Sequence, residues 1–221
     1  MRNFIKKITH PFLRVATKIW FYKPRKYSYK GINVVVHPKV FPPHYTISTK
    51  ILLDFVDGLD INKKSLLELG CGSGIISLYT ASKGAEVTAI DINKKALEYL
   101  KKASKKNKIP ITVLHSNLFS KLDDQQFDFI IINPPYYPKN PKNQKEQAWF
   151  CGSDFEYFKE LFSQLSKREY NETIYMILSQ DCQLAIIESI AKSYNYNFTI
   201  VLKKTVLKEL NFIYKVAQHN I

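Results

Sequence analysis

The sequence predicts an α/β domain with a doubly wound, mostly parallel sheet of seven strands that ends in an antiparallel hairpin, preceded by a short basic N-terminal extension. Two observations predict this fold. From about residue 46 onwards, short apolar runs alternate with helical patterns, as expected for parallel strands covered by helices on both faces. The last two apolar runs are joined by a short polar turn, so they are expected to pair antiparallel at one edge.

The first 40 residues differ from the rest of the chain. Residues 3–21 carry apolar side chains at near-helical spacing between lysines and arginines, and they predict an amphipathic basic helix that Pro11 interrupts. Such a helix can dock on the protein's own core, lie on a membrane surface or bind RNA. Residues 22–43 predict a linker followed by a short strand or hairpin. We therefore expect a basic helix and linker over residues 1–40 and the α/β domain over residues 41–221.

The elements of the α/β domain follow in order from their apolar patterns and bounding residues. A glycine-rich turn opens the second helix, Asp91 closes the second strand, and two prolines end the fourth strand. The expected helices cover residues 48–57, 75–82, 94–107, 154–167 and 182–193. The expected strands cover residues 65–69, 86–90, 111–115, 127–132, 173–178, 198–204 and 212–216.

The positive charge is concentrated near the N-terminus. The 221 residues carry a net charge of +14. Residues 1–40 hold ten basic residues and no acidic one, so the rest of the chain, with 23 basic and 19 acidic residues, carries only +4. A segment of this kind suits an acidic partner such as RNA, a ribosome or an anionic lipid surface, whereas a generally lysine-rich surface is the alternative.

The composition also predicts where the protein is located and whether it binds a metal. No apolar run of 18 residues and no secretory pattern is found, so neither an integral membrane protein nor a secreted one is expected. Three widely separated cysteines suit the cytoplasm, which is the localisation that we expect, and they form no zinc motif. The five histidines have no ligand spacing, so no metal is expected.

Polar or glycine-rich residues follow three successive predicted strands. The first strand leads into residues 70–74, whose GxGxG spacing differs from the dinucleotide fingerprint and allows the backbone to approach a ligand closely. Asp91, 21 residues after Gly70, ends the second strand, where a carboxylate can accept hydrogen bonds from both hydroxyls of a ribose. Asn117 follows the third strand and is placed to bind the edge of an adenine. Together these residues predict a nucleoside pocket.

The fourth predicted strand ends in Asn133-Pro134-Pro135-Tyr136. The Asn133 side-chain oxygen and the Pro134 carbonyl can accept both hydrogens of a planar NH2 group, which aims the nitrogen lone pair forward, and Tyr136 can stack on the flat face of that group. A lone Asn-Pro-Pro turn is more often only a chain-reversing turn. Its position after an apolar strand, beside the nucleoside pocket, favours the chemical role.

With these residues, the chain resembles the class I S-adenosylmethionine-dependent methyltransferases of the NPPY group, and it is most similar to the HemK-type glutamine N5-methyltransferases of translation release factors. The similarity extends over residues 40–216 and includes residues 40–43 and 151–154. It is closest to the compact branch, which lacks an N-terminal helical bundle. The resemblance implies a Rossmann-like methyltransferase fold, S-adenosylmethionine as cofactor, and a protein or RNA substrate of the translation machinery, and it leaves open an activating partner.

The resemblance also assigns roles to single residues. Glu68 takes the acidic position beneath the methionine amine, Asp91 the ribose position and Asn117 the adenine position, whereas Cys71 is a small filler rather than a nucleophile. The cofactor-binding residues that it implies are Glu68, Gly70, Cys71, Gly72, Gly74, Asp91, Ile92, Asn117, Leu118 and Asn133. The implied catalytic residues are Asn133, Pro134, Pro135 and Tyr136, and the implied substrate-binding residues are Phe41, Pro42, Thr49 and Tyr136.

The acceptor stays open at this point. A glutamine amide and the exocyclic amines of adenine and guanine all present a planar NH2 group. We favour a protein glutamine amide and keep an RNA base amine as the alternative, because the aromatic residues among the N-terminal lysines could stack on bases. A non-catalytic nucleoside-binding module is disfavoured by the intact glycines, Asp91 and NPPY motif. The sequence does not establish an oligomeric state.

Overall fold

The computed structural model of the chain describes residues 22–44, 46–122, 125–168 and 172–218. The basic helix predicted over residues 3–21 lies outside the described residues. Within the described ranges the chain forms five α-helices, nine β-strands and one short 3-10 helix, Glu146–Ala148. None of these helices is long and apolar enough to cross a bilayer.

The helices and strands alternate along most of the chain. The helices are α1 (Ile47–Asp57), α2 (Ile75–Ser82), α3 (Lys94–Asn107), α4 (Glu156–Leu165) and α5 (Leu184–Ser193). The strands are β1 (Arg25–Tyr29), β2 (Ile32–Val36), β3 (Ser65–Leu69), β4 (Glu86–Asp91), β5 (Thr112–His115), β6 (Phe129–Ile132), β7 (Thr173–Ser179), β8 (Tyr196–Val206) and β9 (Glu209–Gln218).

The main sheet has seven strands in the order β5-β4-β3-β6-β7-β9-β8. Strands β3 to β7 pair in parallel, and β9 pairs antiparallel with both β7 and β8. The predicted fold class is therefore confirmed. From β3 the chain adds β4 and β5 on one side and β6 and β7 on the other, so the strand order reverses between β3 and β6. Open α/β sheets bind ligands at such a reversal, beyond the carboxyl ends of the strands.

Two apolar layers cover the sheet. Helices α1, α2 and α3 pack on one face, with Leu52, Leu78 and Leu100 fully buried among residues such as Leu66 of β3. Helices α4 and α5 pack on the opposite face, where Leu67 of β3 belongs to the second core. Neighbouring residues of β3 thus enter different cores, as the period-two alternation of a strand buried on both faces requires.

The N-terminal hairpin β1–β2 packs on the first core. Lys30 and Gly31 form its two-residue turn, with φ of +41° and +86°, as in a type I′ turn. Val34 and Val36 are buried in the same core as α1 to α3. Tyr29 Oη donates a hydrogen bond to Asp54 of α1 at 2.9 Å. The strand or hairpin expected within residues 22–43 is confirmed, while the domain division at residues 40 and 41 stays a prediction.

The terminal strands are longer than predicted. The pairing of β8 with β9 continues as far as Val206 and Glu209. This is possible because the hairpin turn has only two residues, Leu207 and Lys208, with φ of +49° and +64°. The helix predicted over residues 154–167 begins at Glu156, since Phe155 adopts a left-handed conformation with φ of +58°. The strand predicted over residues 127–132 begins at Phe129. These differences leave the order of elements unchanged.

Candidate active site

A cleft opens beyond the carboxyl ends of strands β3 to β6, at the reversal in strand order. The predicted site residues that line it are Phe41, Thr49, Glu68, Gly70, Cys71, Gly72, Asp91, Ile92, Asn117, Leu118, Asn133 and Pro135. The predicted site residues that are not among its lining residues are Pro42, Gly74, Pro134 and Tyr136. Parallel pairing of adjacent strands brings these sequence-distant residues to one edge of the sheet.

The loop from β3 to α2 forms the floor of the cleft. The N–H groups of Gly70 and Cys71 donate to the Ile90 carbonyl at 3.0 and 2.8 Å, which ties the loop to the end of β4. Gly70 has a φ of +79°, and a β-carbon added there would meet nothing within 4 Å. Gly74, at φ +70°, lacks such space, because an added β-carbon would overlap the Leu100 side chain. Gly70 thus leaves open space beside the cleft, whereas Gly74 permits close packing of α3.

Asp91 is held by the backbone on two sides. Its Oδ2 accepts a hydrogen bond from the Gly72 N–H at 2.8 Å, and its Oδ1 accepts one from the Asn93 N–H at 2.7 Å. Burial raises the pKa of the Asp91 carboxyl, and these two hydrogen bonds oppose that rise. Each carboxylate oxygen has a second lone pair, so a fixed pair of acceptors remains. This arrangement fits the two hydroxyls of a ribose.

Glu68 is a buried carboxyl at the bottom of the cleft. Its Oε2 accepts hydrogen bonds from the backbone N–H of Ser77, at 2.8 Å, and from the Ser77 hydroxyl. Its Oε1 has no hydrogen-bond partner among the residues that the structure describes. Burial raises the pKa of Glu68 to about 8, against the lowering effect of Ser77 and with a further rise from the Asp91 charge. A ligand that carries an ammonium group would complete this site and favour the ionised carboxylate.

The β5 end of the cleft carries Asn117 and Leu118. Leu118 is buried and has a φ of +50°, which turns the chain sharply after Asn117. The Ser116 hydroxyl donates to the Leu118 carbonyl at 2.8 Å and so fixes this turn. The Asn117 side chain is exposed and makes no hydrogen bond within the described part of the chain. A polar group beside a buried leucine suits the edge and the face of a flat heterocycle.

The NPPY segment begins directly after β6. Asn133 and Pro135 line the cleft, and Pro134 is buried behind them. Neither the Asn133 side chain nor the Pro134 carbonyl forms a hydrogen bond with any described residue. The Asn133 side chain is half-buried and accessible from the cleft. Both predicted acceptors are thus available to one ligand group.

Tyr136 is not among the residues that line the cleft. Its ring lies 4.8 Å from the Tyr137 ring and packs against the second core. Burial raises the pKa of the Tyr136 hydroxyl well above its ordinary value, so the phenol is neutral. The predicted stacking of Tyr136 on an acceptor group stays a prediction. Burial likewise raises the pKa of the Cys71 thiol, as suits an unreactive filler.

Several lining residues were missed from the sequence. Gln144, Gln147 and Ala148 come from the loop between β6 and α4, in which Gln144 Nε2 donates to the Ile92 carbonyl at 3.2 Å. Nearby, the rings of Phe41 and Trp149 lie 4.6 Å apart. Tyr157 lines the cleft from α4. The loop has no apolar periodicity that could have placed it, although its tryptophan, one of two in the chain, was an available indication.

The comparison with known families and relatives identifies the family to which the chain belongs. The family model described as the methyltransferase small domain matches residues 31–150. The release factor glutamine methyltransferase of Fusobacterium nucleatum is 32% identical over 180 residues, which are 69% of this chain and 50% of that protein. The ribosomal RNA small subunit methyltransferase C of Buchnera aphidicola is 29% identical over 198 residues, or 86% of this chain and 54% of that protein. The chain spans about half the length of the curated relatives it matches.

Two solved structures share the fold. The first is the Encephalitozoon cuniculi Mtq2–Trm112 complex, responsible for methylation of the termination factor eRF1, with a TM-score of 0.63, 18% identity, and coverage of 82% of this chain and 99% of that chain. The second is the T. thermophilus 16S rRNA N2 G1207 methyltransferase in complex with AdoMet and guanosine. It has a TM-score of 0.62 and 16% identity, and the match covers 87% of this chain and 50% of that chain. At these identities the likeness concerns the fold.

Proposed function

Because the chain belongs to the methyltransferase small domain family, we propose that it is an S-adenosylmethionine-dependent N-methyltransferase whose acceptor is a protein glutamine amide. The observation that carries this proposal is the pair of oxygens at the end of β6. The Asn133 side-chain oxygen and the Pro134 carbonyl have no hydrogen-bond partner in the described ranges, and Asn133 lines the same cleft as Asp91 and Glu68.

In the proposed reaction, the residues of the cleft position the cofactor and the acceptor nitrogen. When bound, S-adenosylmethionine supplies a methyl group on a positively charged sulfur. Glu68, Asp91 and Asn117 offer acceptors for its amine, ribose and adenine. Asn133 and Pro134 would accept the two N–H hydrogens of the acceptor and so leave the nitrogen lone pair free. Attack by this nitrogen on the methyl carbon would form the N–C bond as the C–S bond breaks and S-adenosylhomocysteine leaves, and the excess proton would pass to water, so no strong base is needed.

The choice of a glutamine amide draws on the relatives. The Fusobacterium nucleatum protein, named a release factor glutamine methyltransferase, matches 69% of the chain at 32% identity. On this basis we propose a substrate within the translation machinery, a cytoplasmic location and, by analogy with the Mtq2–Trm112 complex, an activating partner protein.

An RNA base amine is a second candidate. Lys94 directly follows the lining residue Asn93, and Lys142 and Lys145 flank the lining residue Gln144. All three lysines are exposed, and their ammonium groups form no ion pair among the described residues, so they are available to phosphates. The Buchnera aphidicola rRNA methyltransferase is the corresponding relative.

Transfer of a labelled methyl group separates these two acceptors. Purified protein and methyl-labelled S-adenosylmethionine are added to an extract of cells that lack the gene, which also supplies any partner. We expect label that protease releases and that acid hydrolysis converts to methylamine, because the methyl group sits on a side-chain amide. Label released by ribonuclease would show that the acceptor is an RNA base and not a glutamine amide. No transfer at all would contradict the proposal that the protein is an enzyme.

Two variants test whether acceptor positioning and cofactor binding are carried out by different residues of the cleft. Asn133→Ala should slow methyl transfer by about 100-fold or more, since an acceptor that is no longer oriented reacts poorly, and leave S-adenosylhomocysteine affinity within about twofold. Asp91→Ala should instead weaken that affinity by about tenfold or more, as a charge-assisted pair of hydrogen bonds is lost. Asn62→Ala, in an exposed turn before β3, is the control that should change neither. Full activity of Asn133→Ala would refute the role of the NPPY segment.

A further inference from the structure

Tyr157 occupies a position in the cleft that neither the sequence prediction nor the proposed mechanism uses. It lies in the first turn of α4, and its backbone N–H donates to the Cys151 carbonyl at 3.0 Å. Seven residues further along the same helix stripe, Gln164 Oε1 accepts a hydrogen bond from the Phe119 N–H at 2.8 Å. This bond holds the Tyr157 side of α4 against the loop that follows β5. Tyr157 lines the same cleft as Asp91, Asn117 and Leu118, and the charge of Asp91 acts on its hydroxyl.

The Tyr157 side chain is anchored at its ring and unpaired at its hydroxyl. The ring packs against the second core and meets Phe158 edge to face at 5.3 Å. The hydroxyl forms no hydrogen bond with any residue that the structure describes. By contrast, Tyr29 donates to Asp54, and Tyr196 donates to the Leu165 carbonyl at 3.1 Å. Tyr157 is half-buried and lines the cleft, so its hydroxyl is available to a ligand there.

The electrostatic environment keeps this hydroxyl a donor. Burial raises the pKa of Tyr157 well above its ordinary value, and the negative charge of Asp91 raises it further. The phenol is therefore neutral and carries its proton throughout the physiological range. A fixed, neutral donor beside the Asp91 carboxylate is complementary to a ligand that offers acceptors, such as the ring nitrogens and sugar oxygens of a nucleoside.

We propose that Tyr157 is a cofactor-binding residue whose hydroxyl donates a hydrogen bond to the nucleoside part of S-adenosylmethionine and whose ring forms the wall of the base site on the α4 side. This inference rests on the proposed cofactor and is independent of the acceptor. It adds a hydroxyl donor to a site whose two carboxylates, Glu68 and Asp91, can only accept hydrogen bonds when ionised. It also makes α4 part of the cofactor site.

The test is a binding measurement that needs no acceptor substrate. Calorimetry with S-adenosylhomocysteine and with 5′-methylthioadenosine, which keeps the nucleoside and lacks the amino-acid part, is carried out on the wild type and on Tyr157→Phe. Loss of one neutral hydrogen bond should raise the dissociation constants of both ligands by the same factor, about three- to tenfold. Tyr194→Phe is the matched control, because Tyr194 is half-buried against the same core and is not among the lining residues. It should leave both constants unchanged.

The possible outcomes separate this inference from the proposed function. A wild type that binds S-adenosylhomocysteine, with a Tyr157→Phe variant of equal affinity, would overturn the role of Tyr157 alone. A weakening seen with S-adenosylhomocysteine but not with methylthioadenosine would move the contact to the amino-acid part and overturn the nucleoside assignment. A folded wild type that binds neither ligand would overturn the cofactor itself and the inference with it.

Discussion

Glu68 is a buried carboxyl of the cleft whose ionisation depends on what occupies the site. Without a ligand, burial holds its pKa near 8, so most of the side chain is protonated at neutral pH. A bound ammonium group would favour the carboxylate, because opposite charges in a poorly solvated site attract strongly. With the amino group of the cofactor at Glu68, as we propose, binding would be coupled to release of a proton from this side chain.

This coupling predicts a pH-dependent affinity. Below its pKa of about 8, Glu68 must lose a proton when the ligand binds, so S-adenosylhomocysteine affinity should rise from pH 6 to pH 8 and then level off. The increase has a limit of about tenfold per pH unit. Calorimetry across this range measures it, and 5′-methylthioadenosine is the control ligand, since it lacks the amine.

Glu68→Gln is the corresponding variant. It should bind S-adenosylhomocysteine more weakly at pH 8 and with a much smaller pH dependence, because the amide does not titrate. An unchanged pH profile in this variant would show that another group, such as Asp91, is responsible.

The site residues that could be predicted are those that end strands. Asp91, Asn117 and Asn133 each follow an apolar run, and parallel pairing alone brings such positions together. Tyr157 and Gln144 could not be predicted in this way. Their positions depend on how α4 and an irregular loop pack across the sheet, and no local pattern encodes that packing.

Among the larger elements, the contact between α2 and α3 depends on one glycine. Gly74 precedes α2 with a left-handed φ of +70°, and the fully buried side chain of Leu100 from α3 fills the space where a β-carbon would lie. Gly70, in the same loop, has a similar φ of +79° but open space around it. Both positions therefore favour glycine for its backbone conformation, but only Gly74 is also required for close packing.

Alanine substitutions at these glycines should have different effects. Gly74→Ala should lower the free energy of unfolding by about 2–4 kcal/mol, since overpacking adds to the cost of a left-handed alanine. Gly70→Ala should cost only about 1–2 kcal/mol in stability but should weaken S-adenosylhomocysteine binding, because its methyl group occupies space beside the cleft. Urea denaturation and calorimetry measure the two effects. Equal losses of stability would contradict the packing explanation.

The sequence predicted α2, α3 and β3 with the same bounds that the structure shows. Each is bounded by residues whose local chemistry ends an element, such as Gly74 before α2 and Asn93, whose side chain caps α3. The full length of β8 and β9 was missed, because Leu207 and Lys208 form their tight turn without the usual glycine or asparagine. In that hairpin, tertiary pairing imposes the turn on residues that do not favour it.

Across the whole molecule, hairpin β1–β2 is joined to the α/β domain by apolar and polar contacts. Ile32, Val34 and Val36 lie in the first core. Its polar contacts with α1 come from Lys30, which pairs with Asp57, and from Tyr29, which donates to Asp54 at 2.9 Å. The half-exposed Lys30–Asp57 ion pair contributes little, so the apolar face of the hairpin accounts for most of the stabilisation.

Truncation tests where the folded domain begins. A chain that starts at residue 41, the predicted domain boundary, should lose on the order of 5 kcal/mol of stability relative to one that starts at residue 22, because four buried aliphatic side chains are removed, those of Ile32, Val34, Val36 and Val40. Denaturant unfolding of the two chains provides the comparison. Equal stabilities would support the boundary at residues 40 and 41 and show that the hairpin is dispensable.

The position of β9 between β7 and β8 has a consequence for synthesis on the ribosome. Strand β8 is made before β9, yet it joins the sheet only through β9, and the edge of β7 is likewise completed only by β9. Until residue 218 has emerged from the ribosome, the nascent chain carries an open β7 edge and an eleven-residue strand without its sheet neighbour. Such edges are templates for aggregation. We expect chains interrupted after Val206 to be bound by chaperones or degraded, because the last strand closes the sheet.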